Sequence, residues 1–557
     1  MANYSEFESV NYTDWQNKVL GDLKGKPIEK INWQTPEGFT LHPYPEEMPV
    51  PSSWTRGNAF NAMDAGWQSV QAISVDDQVT ALAILEDAVM HQIPAFLLYS
   101  KNDTANIEQY QAVWEKIDLG QHAIHLVPSS KAPGLPLSKA LIQHAESLDL
   151  CDSLTGNIFS AGNQAIPALS PNTPWFRTAG IDATAIEAGG GNCALQIAVA
   201  LSRTVDLFAD TKSVNILASR LAYRFAIGNS FWLEVAKLRA FRMLAARVLE
   251  VFGVKDQQLL SPFILTETGT YNKARYDAHT NMLRTTSEAL SASVGGAHAI
   301  AIHPYSDLLG EQNIEDARLA RNIMQLMRHE SYMDRVADPA GGSRYAEEAT
   351  HTLAETSWAL FQEMEALGGY EKAQDWLQEK LAQSQQSREQ KAKKRRDQFV
   401  GVSNYPNPEE KLEDLNFESD KRPIAQFEKL RFELSKKGKS HQAFLLMYGA
   451  KAWRSARHTF ASNLLGILGL DLVENSQPDD WQVSLEEIKK ASPAIVCLCA
   501  SDDDYAQAHI QEIKQLLPEA LIVVAGGTRE DLQPDHFVYR GVDVLSTLSH
   551  IVNHLKA

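Results

Sequence analysis

Apolar residues along the chain switch repeatedly between two periods, and the switches predict a mixed α/β protein. Residues 67–73, 95–99, 123–127, 175–181, 220–226, 263–266, 298–303 and 335–337 are short β-prone runs. Between them apolar positions recur at helical spacing, as at 76–91, 231–252 and 315–331. Strands alternating with helices at this length predict parallel βα units. Eight of them predict a (β/α)8 barrel, a TIM barrel, whose chemistry sits on loops at the strand C-termini.

The barrel domain is placed at 51–385. Ahead of it, residues 1–50 set Trp15, Leu20 and Leu23 at helical spacing, then Trp33, Pro36, Gly38, Pro43 and Pro45 in a stretch too proline-rich for regular structure. This predicts an arm whose Trp15, Trp33, Phe39 and Tyr44 must cover a surface. A partner chain is the expected surface and the chain's own barrel the alternative. Residues 386–440 are charged, hold Pro406, Pro408 and Pro423, and predict a linker with some helix. Residues 441–557 alternate again: strands at 443–447, 495–499, 521–525 and 544–545, helices at 455–468 and 505–517, and a last helix to Lys556. That order predicts a flavodoxin-like doubly wound sheet.

A formal charge of −18 argues against nucleic acid and anionic lipid as partners. The one basic run, Lys391 to Arg396, follows a Gln-rich helical stretch and reads as a solvated helix end. Cys151, Cys193, Cys497 and Cys499 form no CxxC pair, which predicts reduced thiols, no zinc site and a cytoplasmic protein. Met1 to Glu6 lack a basic region and an apolar core, and no apolar run approaches the ~18 residues of a membrane span.

Several segments, in order, among them Phe231 to Arg242, Asn281 to Ala289 and Asp338 to Ser343, resemble methylmalonyl-CoA mutase. Phe231 to Arg242, reading FWLEVAKLRAFR, is similar to that family's FFxEIAKLRAAR helix. Thr266-Glu267-Thr268 with Tyr271-Asn272, then Asn281 to Ala289, Gly295-Gly296, Ala317 to Asn322, and Asp338-Pro339-Ala340-Gly341-Gly342-Ser343 follow, and Glu365 with Gly368-Gly369 resembles an ExxGG. By themselves these residues read mostly as structure. Ala236, Leu238, Leu244 and Val248 share a helix face suited to barrel packing, and Gly341-Gly342 suit a turn of positive φ.

The family's site residues are the ones that differ. Its cobalt-ligand loop reads DxHxxG, in which the imidazole supplies a lone pair and the Asp orients it. Counting back from Gly469-Leu470-Asp471-Leu472, which resembles the family's GFDV, puts Ala452 at the Asp, Arg454 at the His and Arg457 at the Gly. Arginine stays protonated and offers no lone pair. His458 is the one rescue candidate, a helical turn further on. The next signature, SxL, falls on Cys499-Ala500-Ser501, and only Gly526-Gly527 remain of the third. In the barrel, a motif like RGxYxTM meets Arg56-Gly57-Asn58-Ala59-Phe60-Asn61-Ala62, without the Tyr. YHMQEAG meets Ala183 to Gly189, which keeps Glu187-Ala188-Gly189 but has Thr184 for the His.

The resemblance therefore implies a barrel plus a degenerate cobalamin-binding-type domain, with no catalytic, cofactor or metal ligand of its own. It implies pairing as a heterodimer with a large catalytic subunit that carries adenosylcobalamin. The complex would interconvert (R)-methylmalonyl-CoA and succinyl-CoA by a radical 1,2-shift, with this chain structural. The alternatives are a cobalamin-binding isomerase with an unusual lower ligand, and a scaffold or chaperone for cobalamin enzymes. Bulk such as Phe60 near the first strand further predicts a barrel interior filled by side chains rather than open to CoA.

Overall fold

Eight parallel strands close on themselves in the computed structural model, which describes residues 10–46, 66–160, 173–209, 211–310, 312–418, 420–436 and 441–556. They are β1 Gln68–Ser74, β2 Ala95–Tyr99, β3 Ala123–Leu126, β4 Gly156–Ser160, β5 Phe176–Asp182, β6 Leu221–Ile227, β7 Phe263–Thr268 and β8 Ala299–Ala301. Strand β8 pairs with both β7 and β1, which leaves no open edge. The sequence pattern marks seven of the eight. It misplaces the eighth at 335–337, a bend between the helices Ile314–His329 and Arg344–Ala366 where Val336 is exposed. The true strand β4 reads as a turn because it opens on Gly156. There φ is +130° and a Cβ would sit 1.8 Å from the Ile124 carbonyl oxygen, so only glycine admits the approach of β3.

Helices cover the barrel because both faces of a parallel strand are buried. The most extensive packing is between the helices Phe231–Val251, Cys193–Ala209 and Arg344–Ala366, which form one continuous core with the outward faces of β5, β6 and β7. Inside, Val70, Leu97, Phe159, Ala222, Leu265, Ala299 and Ala301 belong to one packed cluster, each 0% exposed. Side chains thus pack against one another along the barrel axis. Phe60, from which a filled interior was expected, lies outside the described residues.

The second layer is a parallel sheet of β9 Gln442–Met447, β10 Asp471–Glu474, β11 Ile495–Cys499, β12 Leu521–Val524 and β13 His536–Phe537, in the order β10-β9-β11-β12-β13. This is the doubly wound order. Ala443, Leu445, Cys497 and Val523 face the helices Lys451–Leu465 and Val544–Lys556, while Phe444, Leu446, Val496 and Ile522 face the helices Trp481–Ala491 and Gln507–Leu516. The pattern misses β10, β13 and the helix Trp481–Ala491. It also misreads 544–545, a Val-Leu pair that forms the first buried turn of the last helix.

Residues 386–440 do more than connect. Ala392, Phe399, Val402, Ile424, Phe427 and Leu434 share a core with Ala274 and Tyr276 of the barrel and with the second sheet. Glu428 accepts the Arg275 N–H at 2.6 Å, and Arg422 reaches both Glu428, at 2.7 Å, and the Lys273 carbonyl, at 2.6 Å.

The arm splits into two parts. A short antiparallel hairpin, Trp33–Gln34 with Thr40–Leu41, lies on the chain's own barrel: Leu41 is fully buried in its core, His42 Nδ1 is 2.6 Å from Glu348, and Arg344 stacks on Tyr44. Glu37 accepts the N–H groups of Cys193 and Ala194 at 3.0 and 3.1 Å, capping the helix Cys193–Ala209. The helix Tyr12–Asp22, by contrast, buries no residue. The hairpin part of the arm thus takes the alternative surface, the chain's own barrel, rather than the partner chain expected of it. Glu37→Ala is expected to lower stability by ~1–2 kcal/mol through the lost cap, while Trp33→Ala, at an exposed position, should stay within ~0.5 kcal/mol. Urea midpoints of the two variants check this.

Candidate functional site

In a barrel, chemistry gathers at the strand C-termini, and here that end holds a chain of ion pairs and hydrogen bonds. Arg224 on β6 reaches Asp182 of β5 at 2.5 Å and Glu267 of β7 at 2.6 Å. Glu267 in turn lies 3.3 Å from His303 Nε2, His303 Nδ1 faces the Tyr99 hydroxyl at 3.4 Å, and that hydroxyl accepts from Gln312 at 2.6 Å. Burial alone would raise the Glu267 carboxyl, but Arg224 and His303 outweigh it and hold the group down to about 2. Burial disfavours the charged His303, yet Glu267 pushes its pKa above the usual value. At this end Asp182 and Glu267 are thus both matched to Arg224, and Glu267 also to His303.

Thr184, at the position expected for the family's imidazole, forms a local cap, donating to Asp182 at 2.7 Å and accepting from Arg224 at 3.4 Å. Glu187 is buried behind it, where burial pushes its carboxyl up to about 7 against the pull of Arg388 and Lys273. The Arg56 to Ala62 segment lies outside the described residues. Sequence reasoning passed over Asp182, Arg224, His303 and Tyr99, whose only signal was a charged or aromatic residue within a strand or just past its end.

In doubly wound sheets, ligands bind outside the carboxyl ends of the strands at the switch point, here between β9 and β11. The chain leaves β9 through Gly449, where φ is +72° and a Cβ would meet Asp504 at 2.1 Å. It then enters the helix Lys451–Leu465 at once. Ala452, Arg454 and Arg457 therefore sit on helix rather than on an open loop, in keeping with the helix-forming run Lys-Ala-Trp-Arg-Ser-Ala-Arg. Arg454 pairs with Asp479 and donates to the Gly449 carbonyl at 3.2 Å. Arg457 pairs with Asp502 at 2.9 Å, and Arg529 donates to the Asp502 carbonyl. His458 points to Glu474 on β10, at 2.9 Å.

Beside this mesh, aromatic rings pack at the strand ends. Tyr505 accepts from the Ala500 N–H at 2.9 Å and lies 2.8 Å from the Ala525 carbonyl, bridging the ends of β11 and β12. Tyr448 stands edge-on to Trp481, His509 and Tyr505, with ring centroids 5.3, 5.2 and 6.2 Å away. Cys499 is fully buried, and Ser501 donates to Asp504 at 2.6 Å. Gly526 lies 3.1 Å, measured from an added Cβ, from Asp502 and the Tyr505 ring, while Gly527 faces open space. Arg454, at the position expected for the lower-face imidazole, has its guanidinium paired with a carboxylate, and aromatic rings pack beside the strand ends. These residues do not fit a cobalamin. Among the described residues no group of three or more His, Cys, Asp or Glu could hold a metal ion, and no helix is long and apolar enough to cross a membrane.

Comparison with known proteins gives a consistent pattern. The family model for methylmalonyl-CoA mutase matches residues 160–456. The methylmalonyl-CoA mutase small subunit of Porphyromonas gingivalis is 27% identical, covering 98% of this chain and 97% of the relative. That of Propionibacterium freudenreichii subsp. shermanii is 25% identical over 99% and 96%. The methylmalonyl-CoA mutase of Rhizobium meliloti is 33% identical, but over only 42% of this chain and 33% of its own. The motif-bearing barrel half falls inside the matched region, and the chain belongs to the methylmalonyl-CoA mutase family.

Proposed function

We propose that this chain is the small, non-catalytic subunit of an adenosylcobalamin-dependent methylmalonyl-CoA mutase. It pairs in the cytoplasm with a large subunit that holds the cofactor and interconverts (R)-methylmalonyl-CoA and succinyl-CoA. The observation that carries the reading is Arg454: it takes the place of the lower-face imidazole and is held by Asp479. The ion-paired barrel mouth and the side chains packed along the axis point the same way. Relatives that match nearly end to end are named as small subunits. The chain's contribution is to stabilise its partner, and the exposed helix Tyr12–Asp22, with Tyr12, Trp15 and Tyr44 stacked together, is the part of the arm free to contact it.

Two measurements test this. The purified chain, incubated with adenosylcobalamin and desalted, is expected to retain no corrin absorbance. Stoichiometric retention at micromolar protein would overturn the reading and favour an isomerase with another ligand. Co-expressed with a large subunit of the family, the chain is expected to elute as an equimolar complex, and a chain that leaves its partner after assembly would instead be a chaperone.

A further inference from the structure

The opposite, N-terminal end of the barrel carries charge that no acidic side chain among the described residues balances. Arg177 of β5, Arg220 just before β6, and Arg242 of the helix Phe231–Val251 gather there with His125 of β3 and His298 just before β8. The ring of Phe263 is the common neighbour. Arg177 lies over it at 4.8 Å, and His298 and His125 stack beside it at 5.3 and 5.8 Å.

The hydrogen bonds that Arg220 and Arg242 make within the described residues all go to neutral atoms. Arg220 donates to the carbonyls of Thr173 and Phe176. Arg242 donates to the Gly296 carbonyl and, at 3.3 Å, to the Ser261 hydroxyl. The one carboxylate acting on the group, Asp338, is itself gripped by Arg239 at 2.8 and 3.2 Å. Burial, and then the neighbouring guanidiniums, push His125 down to about 3 and His298 well below its usual value, so both rings are neutral. Three guanidinium charges remain, and charge withdrawn from water without a counter-charge is costly.

A second observation points to what supplies the counter-charge. Nδ1 of His125 faces Asn157 Nδ2 at 2.7 Å and accepts from it, which places the ring proton on Nε2. That Nε2 has no partner among the described residues, although His125 is only 1% exposed. An N–H donor is therefore unsatisfied in the cluster that holds Arg177, whose side chain is only partly buried.

We propose that this end of the barrel is a binding site for a small oxyanion of the phosphate class, held by Arg177 and the His125 Nε2–H and balanced by Arg220 and Arg242. Free phosphate and the phosphate end of a larger molecule share this chemistry. The site is remote from both regions described above and does not depend on the subunit reading.

The test follows the melting temperature of the full chain at constant ionic strength, as sodium phosphate or glycerol 3-phosphate replaces sodium chloride. A saturable rise of ~2–4 °C is expected from whichever form the site accepts. The larger shift of the two identifies the source. Arg177→Met should abolish the rise and melt no lower than the parent in chloride alone, because it removes an unbalanced charge. If that variant does not fold, Arg177→Lys, which keeps the charge but loses the fork, should raise the half-saturating concentration at least ~5-fold. The site is refuted if phosphate and its ester protect no better than chloride, or if the Arg177 variants respond as the parent does.

Discussion

Arg239→Met is expected to lower the stability of the chain by ~3 kcal/mol, read as a shifted urea midpoint at unchanged slope. Arg239 is 1% exposed and lies in the motif helix Phe231–Val251. Its guanidinium reaches Asp338 at 2.8 and 3.2 Å, Glu347 at 3.0 Å and the Thr350 hydroxyl at 2.7 Å. Methionine fills much of the same volume but leaves Asp338 and Glu347 without their shared cation. Removing one partner of a buried pair costs ~3–5 kcal/mol. The lower figure applies because the two carboxylates keep 15% and 19% exposure. Arg247→Met, on the same helix but with a 65% exposed side chain paired to Glu250 at 3.5 Å, should move the midpoint by ~0.5 kcal/mol or less. Equal, small shifts in both variants would show that the Arg239 network is not what holds the barrel's helices together.

That network explains why the family resemblance was legible although the family's site residues are replaced. The polar residues of the matching segments bond to one another or to nearby buried groups. Lys237 pairs with Glu234, Asn272 and Lys273 converge on Glu288 at 2.6–2.7 Å, Arg239 grips Asp338, and Glu365 accepts from Ser202 at 2.6 Å. Such residues are tied to the fold whether or not a site survives, since deleting one strands a buried partner. Arg454, in contrast, sits at a domain edge where a charge can find an exposed carboxylate.

The elements that were not legible fail for physical reasons. Strand β4 carries a glycine forced by the neighbouring strand. Strands β10 and β13 have few buried side chains and show no clean alternation. The run Trp-Gln-Val-Ser-Leu of the helix Trp481–Ala491 is too mixed to announce a period before Asp480 caps it at Val483 N. The ion-paired triad at the barrel mouth was invisible because Asp182, Arg224 and Glu267 meet only when β5, β6 and β7 are laid side by side.

Glu187 provides the second large expected effect, and one of opposite sign. It is retained from the family's motif, is 4% exposed, and stands so close to Gly269 that a Cβ there would come within 2.6 Å of its Oε1. Burial is the main cause of its raised carboxyl, followed by attraction to Arg388 and Lys273, which opposes the rise, and repulsion from Glu288 and Glu234, which adds to it. A carboxyl at about 7 when folded and at its ordinary 4.5 when unfolded binds more protons in the native state throughout that window. Stability then falls as pH rises from the lower value to the upper, and the penalty is complete above it. At ~1.4 kcal/mol for each pKa unit this amounts to ~3 kcal/mol. Glutamine copies the protonated side chain and cannot ionise. Glu187→Gln should therefore match the parent near about pH 4 and exceed its stability by up to ~3 kcal/mol near about pH 8, in urea unfolding followed by circular dichroism. A variant that is instead less stable than the parent at the higher pH would mean that Glu187 works as an anion paired with Arg388, and that burial is not what governs it.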